Sequence, residues 1–157
     1  MSQFVPLLLF LHVMGAIIAF GPTFAYSIMG AMAGREPQHA NFSSRQVQAI
    51  GNKLVYPLAI FQGVTGVLLI LASGRDMSKS TWLSIAIVLY AVTLIYALTV
   101  QRNALHHLIE LTNTPPAPGS APNPEIPATV KKIQRGGMFL GLMIVIIVFL
   151  MVTKPTF

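Results

Sequence analysis

The sequence predicts an all-α integral membrane protein, a bundle of four transmembrane helices. Of its 157 residues, 54% are hydrophobic and only 9% are charged. In a soluble domain roughly a quarter of all residues are charged, so this chain has too little polar surface to cover a water-soluble fold. Cysteine is absent, which excludes disulfides and thiolate metal sites. We therefore expect a single membrane domain over residues 1–157.

Four apolar stretches are each about as long as the 20 residues that a bilayer requires. They cover about residues 4–29, 54–73, 82–101 and 136–153. None of the four contains Asp, Glu, Lys or Arg, so each can cross the hydrocarbon core. The third stretch keeps its helical pattern as far as Leu111, which predicts a helix longer than the span itself.

The connections between the spans differ in character. In the first loop, Ser43 or Ser44 can cap a short amphipathic helix that places Val47 and Ile50 on one face. The third loop, residues 112–128, holds six of the eleven prolines and is predicted to be extended, because proline cannot continue a helix.

Lys and Arg side chains predict the orientation of the chain in the membrane. Seven of the ten lie in the first and third loops, and cytoplasmic loops carry an excess of these residues. We therefore expect both long loops in the cytoplasm and both termini outside. A charge distribution that follows the loops, with no interleaved aromatic residues, also argues against nucleic-acid binding. The seven residues are Arg35, Arg45, Lys53, Arg102, Lys131, Lys132 and Arg135.

His12 is the only strongly polar residue of the first span. At 100° per residue it shares a helix face with Gly15, Ala19 and Thr23, whereas Phe10 lies on the opposite face. Small and polar residues mark helix–helix interfaces in membranes, because lipid tails are as apolar as large side chains. His12 is therefore expected to face the interior of the bundle.

Counting the helical rise from the outer end of each span gives the depth of the polar groups. His12, Thr65 and Tyr90 lie at about 12 Å, Met143 at about 15 Å and Gln62 at about 16 Å. Each span thus offers a polar or sulfur group near the level of His12. Tyr90 and Gln62 are the partners expected first, because both side chains are long and share a face with small residues.

Several roles are open for this cluster. In the simplest, His12 is hydrogen-bonded across helices to Tyr90, Thr65 or Gln62 and has no ligand. Alternatively, its imidazole binds haem b or copper, with Met143 as a second metal ligand. A quinone carbonyl is a third option, accepting hydrogen bonds from His12, Tyr90 or Gln62.

The consecutive histidines His106 and His107 suggest a metal site. Adjacent residues of a helix point about 100° apart, however, and the pair lies about 24 Å deeper than His12. A solvated helix end is the interpretation that fits, since cations are favoured near a helix C-terminus.

Residues 11–16 (LHVMGA) and 20–25 (FGPTFA) resemble the opening helix of a family of small bacterial four-helix membrane proteins of unknown function. That family is in turn distantly similar to the copper-resistance D membrane domain and to the b-haem protoporphyrinogen oxidases. The resemblance implies that His12 is the functional histidine, in a bacterial cytoplasmic membrane. The chain departs from the oxidases in lacking a further histidine and a basic residue in the first helix. The chain resembles the four-helix family more weakly at Arg45, Lys53, Pro57, Gly66 and Trp82.

No span carries a carboxylate, lysine or thiol, so the spans lack most of the residues that acid–base and nucleophilic catalysis use. We therefore expect a non-catalytic accessory or scaffold subunit of a bacterial membrane complex, with a cofactor or lipid-like ligand at His12. Its partners would be membrane lipids and either other membrane subunits or a second copy of the chain. The alternative is a haem-, copper- or quinone-binding oxidoreductase using His12. A small transporter is disfavoured, because intramembrane carboxylates are absent.

Overall fold

The computed structural model describes residues 2–74, 80–114 and 123–156, and within these ranges the chain is helical without β-strands. Four helices of this part of the chain are long and apolar enough to cross a membrane, which confirms the predicted fold class. The first is α1, the second joins α2 to α3, the third joins α4 to α5, and the fourth is α6. The α-helices are α1 (Val5–Arg35), α2 (Ala40–Ile50), α3 (Tyr56–Ser73), α4 (Thr81–Tyr96), α5 (Arg102–Leu111) and α6 (Glu125–Thr153).

The second membrane helix is interrupted by a π-helical turn, Gly51–Val55, that joins α2 to α3. Pro57 follows this turn and explains it. Its nitrogen cannot donate to the carbonyl of Lys53, and its ring would clash with that carbonyl in a regular α-helix. A wider turn relieves the clash, so α2 and α3 run on without a loop.

The predicted cap of the first-loop helix is wrong. The helix begins at Ala40 without a side-chain cap. The Ser44 hydroxyl donates to the Ala40 carbonyl at 2.9 Å, inside the same helix. Ser43 Oγ instead donates to the Met29 carbonyl of α1 at 3.4 Å. Both serines therefore lie within the first turns of the helix, because the chain enters it earlier, through a 3-10 turn at Pro37–His39.

The third and fourth membrane helices both extend beyond their apolar stretches. A second π-helical turn, Ala97–Gln101, joins α4 to α5, which ends at Leu111 as the helical pattern predicts. Helix α6 begins at Glu125, so the expectation of extended backbone as far as residue 128 is wrong. Pro127 lies in the first turn, where a missing N–H costs no helical hydrogen bond. The remaining part of the predicted loop, residues 115–122, lies outside the described residues.

The helices pack as an antiparallel bundle with two different ends. Helix α1 packs along α3, α6 packs along α4 and α5, and α2 packs against α5. We call the end that holds the start of α1, the end of α3, the start of α4 and the end of α6 the terminal end. The opposite end, formed by the end of α1, by α2, by α5 and by the start of α6, is the loop end. At the terminal end, Trp82, Leu83, Ala86 and Leu150 form a buried core.

Large apolar side chains cover most of the outer surface. On α1, Phe10, Ile17, Phe24 and Ile28 are all more than half exposed. These residues lie opposite the face that carries His12, as the 100° analysis predicts. The small residues Gly15 and Ala19 on the His12 face are buried. This arrangement is typical of a membrane bundle, in which lipid covers the large residues and small ones allow helices to approach.

Candidate functional site

The site is a polar contact between α1 and α3. His12 is half-buried and faces α3. Its Nδ1 lies 3.0 Å from Thr65 Oγ1, and its Nε2 lies 3.0 Å from Gln62 Nε2. The two partners are three residues apart, so they lie on the same face of α3 and hold the imidazole between them. These are two of the contacts that the depth analysis predicts.

One arrangement of hydrogens accounts for every hydrogen bond that joins these three side chains. The Gln62 amide N–H donates to His12 Nε2, and His12 Nδ1–H donates to Thr65 Oγ1. The Thr65 hydroxyl then donates to the carbonyl of Phe61 or of Gln62, each at 3.1 Å. The geometry therefore fits a neutral imidazole that carries its proton on Nδ1.

Two glycines make room for this cluster. A Cβ at Gly15 would lie 2.9 Å from Gln62 Oε1, and a Cβ at Gly66 would lie 3.2 Å from His12 Cε1. Both distances are too short for an unstrained contact, so the amide and the imidazole occupy space that only glycine leaves free. The small face predicted around His12 thus extends to α3.

Gln62 carries an unusual atom. Its side chain is only 7% exposed, and its Oε1 is buried with no hydrogen-bond partner among the described residues. A buried amide oxygen without a partner costs free energy, roughly 1–3 kcal/mol. This oxygen packs on Gly15, and it is the one free acceptor of the cluster.

Tyr90 lies beside the cluster but does not contact His12 through a hydrogen bond. Its hydroxyl donates to the Ala59 carbonyl of α3. Its ring packs on Gly63, where a Cβ would lie 3.3 Å from Tyr90 Cε1. Of the two partners expected first, Gln62 therefore bonds to His12, whereas Tyr90 ties α4 to α3 one turn away.

Coordination of haem or copper by His12 would require a rearrangement of this cluster. Both ring nitrogens lie within hydrogen-bond distance of Thr65 or Gln62, so coordination would break one of these bonds. Met143 is half-buried on α6, and no hydrogen bond among the described residues joins it to His12. In the same part of the chain, no cluster of three His, Cys, Asp or Glu could hold a metal.

His106 and His107 belong to a separate surface at the loop end. Both are exposed, and His106 Nδ1 lies 3.3 Å from Glu110 Oε1. His107 Nε2 lies 3.7 Å from Glu125 Oε2, which connects α5 to the start of α6. The sequence predicts the solvated helix end but not these two contacts. Glu125 is missed because the sequence predicts an extended loop there, and Glu110 lies four residues after His106 on the same helix.

A second polar contact was missed altogether. Gln101 Nε2 donates to the Ile133 carbonyl of α6 at 3.0 Å, and its amide oxygen lies against Gly136. A Cβ at Gly136 would also lie 3.0 Å from the Tyr96 hydroxyl. The available signal was a glutamine at the end of an apolar stretch and a Gly-Gly pair at the start of another.

A family model described as "Predicted integral membrane protein (DUF2269)" matches residues 6–155. The chain belongs to this family. The match covers all four membrane helices and the His12 contact, and it confirms the resemblance to a small four-helix membrane family of unknown function. No curated protein and no solved structure matches the chain.

Proposed function

We propose that this protein is a non-catalytic accessory or scaffold subunit of a bacterial membrane complex. The observation that carries the proposal is the use of His12, the only histidine or charged residue in the predicted spans. Both of its nitrogens are engaged in hydrogen bonds to α3. An imidazole held in this way ties two helices together and has no free nitrogen with which to accept a substrate proton.

The uncovered surface of α6 supports the subunit role. Gly137 and Gly141 are four residues apart, and a Cβ added at either position would meet no atom within 4 Å. Glycines at this spacing allow a second helix to approach closely, which is the main source of helix association where the lipid is equally apolar. Within the described part of the chain, no helix uses this face.

Crosslinking in native membranes tests the proposal. The full chain is expected to crosslink to another membrane subunit, and Gly137→Leu combined with Gly141→Leu should abolish the crosslinked product. Gly21→Leu combined with Gly30→Leu is the matched control, since those glycines on α1 also meet no atom within 4 Å. A chain that is monomeric in native membranes, or equal crosslinking of both variants, would contradict the proposal.

A quinone-type ligand at His12 is the second candidate, favoured by the unpartnered Gln62 Oε1. A quinol hydroxyl that displaced the contact of this oxygen with Gly15 could donate to it, whereas an oxidised quinone would need the donor N–H groups already in use. Extraction of the purified protein tests for it. A stoichiometric quinone that is lost in Gln62→Leu and kept in Tyr90→Phe would favour the ligand. A quinone-free preparation would rule it out.

We also propose that both termini lie outside a bacterial cytoplasmic membrane. The support is that the seven Lys and Arg of the two long loops are all exposed at the loop end. A reporter enzyme that works only in the periplasm should then be active when it is fused after Phe157. Activity of that fusion in the cytoplasm would invert the orientation.

A further inference from the structure

Five basic side chains lie at one level of the bundle, and we call them the basic ring: Lys53, Arg102, Lys131, Lys132 and Arg135. The level follows from the distance along each helix to the terminal end. Lys53 is about 20 residues from the end of α3 and Arg102 about 21 from the start of α4, which are about 30 and 32 Å. The three residues on α6 lie about 27 to 33 Å from its end.

Contacts at both ends show that these helices are in register. At the terminal end, Trp82 and Leu150 belong to one buried core, against which Ile70 packs. At the loop end, Gln101 Nε2 donates to the Ile133 carbonyl. Arg102 directly follows Gln101 and Arg135 lies two residues after Ile133, so the two arginines lie within about one helical turn of each other in height.

That height coincides with a boundary of the membrane. The hydrocarbon core of a bilayer is about 30 Å thick. With the terminal end at one surface of the core, the basic ring lies at the opposite surface, where lipid phosphates are found. All five side chains are exposed, on three of the four membrane helices.

The carboxylates of the loop end lie elsewhere. Glu110 and Glu125 are about 42 to 44 Å from the terminal end, and Glu36 is about 47 Å away. They are therefore about 9 to 20 Å farther from the terminal end than the residues of the basic ring. Each of the three also lies within 4.0 Å of a histidine, at His39, His106 or His107.

Among the residues that the structure describes, this level therefore holds five basic side chains and no carboxylate. In the described part of the chain, the carboxylates within 4.0 Å of a nitrogen cation or imidazole contact histidines, which are charged only when protonated, and none contacts a residue of the basic ring. The common height of these charges matches the layer of lipid phosphates, which lies parallel to the membrane.

We propose that the basic ring binds the phosphate groups of anionic phospholipids and that the protein therefore selects these lipids as its neighbours. Arg guanidinium and Lys ammonium groups both donate to phosphate oxygens. Each basic side chain near an anionic membrane surface strengthens attraction by about fivefold. An acidic soluble protein would instead meet the glutamates first, since they project farther from the membrane.

Lipid retention by the full-length protein tests the proposal. The protein in mild detergent is equilibrated with equal amounts of phosphatidylglycerol and phosphatidylcholine and washed, and the retained lipids are measured by mass spectrometry. Wild-type protein is expected to retain phosphatidylglycerol at least about fivefold over phosphatidylcholine. Lys53→Gln, Arg102→Gln and Arg135→Gln combined should reduce this ratio to near one.

The matched control removes the same number of charges away from the ring: Arg35→Gln, Arg45→Gln and Lys154→Gln combined. This control should keep the preference for phosphatidylglycerol. Arg102→Lys with Arg135→Lys should keep it as well, and serves if the glutamine variant fails to fold. The proposal is overturned if wild-type protein shows no preference, or if the ring and control variants lose it equally. A wild-type protein that binds soluble polyglutamate but not phosphatidylglycerol would also overturn it.

Discussion

Two contacts in this molecule are built in the same way, from a glutamine amide placed on a glycine of another helix. Gln62 lies on Gly15 and joins α3 to α1 in the half of the bundle near the terminal end. Gln101 lies on Gly136 and joins the third membrane helix to α6 near the loop end. In both cases the glycine allows the approach and the amide supplies the interhelical hydrogen bond.

The contacts differ in what the amide nitrogen meets. Gln101 donates to a backbone carbonyl, that of Ile133, which cannot change its protonation state. Gln62 donates to the imidazole of His12, an ionisable ring with two neutral tautomers. Glycine therefore decides where two helices meet, and the polar partner decides whether the contact contains a titratable group.

Removing the imidazole should have the largest effect on stability. His12→Ala deletes two interhelical hydrogen bonds, worth on average about 0.6 kcal/mol each in membranes, and leaves a cavity. We expect a loss of about 2–3 kcal/mol in the free energy of unfolding, measured by SDS titration in detergent micelles. Val13→Ala, at an exposed neighbouring position, should change it by less than about 0.5 kcal/mol. Equal losses in the two variants would show that the His12 contact adds no stability.

A methyl group at the other contact should cost somewhat less. Gly136→Ala places a Cβ against Gln101 and Tyr96 and should destabilise the protein by about 1–2 kcal/mol. Gly137→Ala, one residue along, meets no atom within 4 Å and should be neutral or stabilising, because alanine favours a helix. Thermal unfolding of the two variants in the same detergent gives the comparison. A Gly136→Ala protein as stable as wild type would show that α6 does not pack here.

A double-mutant cycle measures how strongly glycine and glutamine depend on each other. Gly15→Ala should destabilise the protein by about 1 kcal/mol because its methyl group meets Gln62 Oε1. In a Gln62→Ala background the same change should cost almost nothing, which gives a coupling free energy of about 1 kcal/mol. If SDS titrations show that the losses of the two single variants simply add, the two side chains are not in contact.

The smallest change concerns the hydrogen-bond acceptor of His12 Nδ1. Thr65→Val removes that acceptor and should cost about 0.5 kcal/mol. It should also shift the imidazole from the Nδ1–H tautomer towards Nε2–H, which nitrogen-15 NMR of histidine-labelled protein detects. Thr65→Ser keeps the hydroxyl and should keep the wild-type spectrum. An unchanged tautomer in Thr65→Val would refute the proposed direction of the hydrogen bonds.

Much of the fold was predictable, because lipid imposes a simple rule on sequence. A stretch without charges and about 20 residues long must cross the hydrocarbon core as a helix, since no other structure satisfies its backbone there. The helix boundaries were less predictable. Glu125 begins α6 inside a proline-rich segment, and the first-loop helix continues into the second span through a π-helical turn. Both depend on local backbone geometry that composition does not encode.

The sequence by itself determined the fold class, the helix face on which His12 lies and the clustering of basic residues in two loops. These follow from hydrophobic length and helical periodicity, which are properties of each segment alone. Only the tertiary structure decided that His12 bonds to Gln62 and Thr65, that Tyr90 bonds to Ala59, and that Gln101 lies on Gly136. The reason is physical: groups at equal depth on different helices meet only when rotation and register are set, and close packing at glycines sets them.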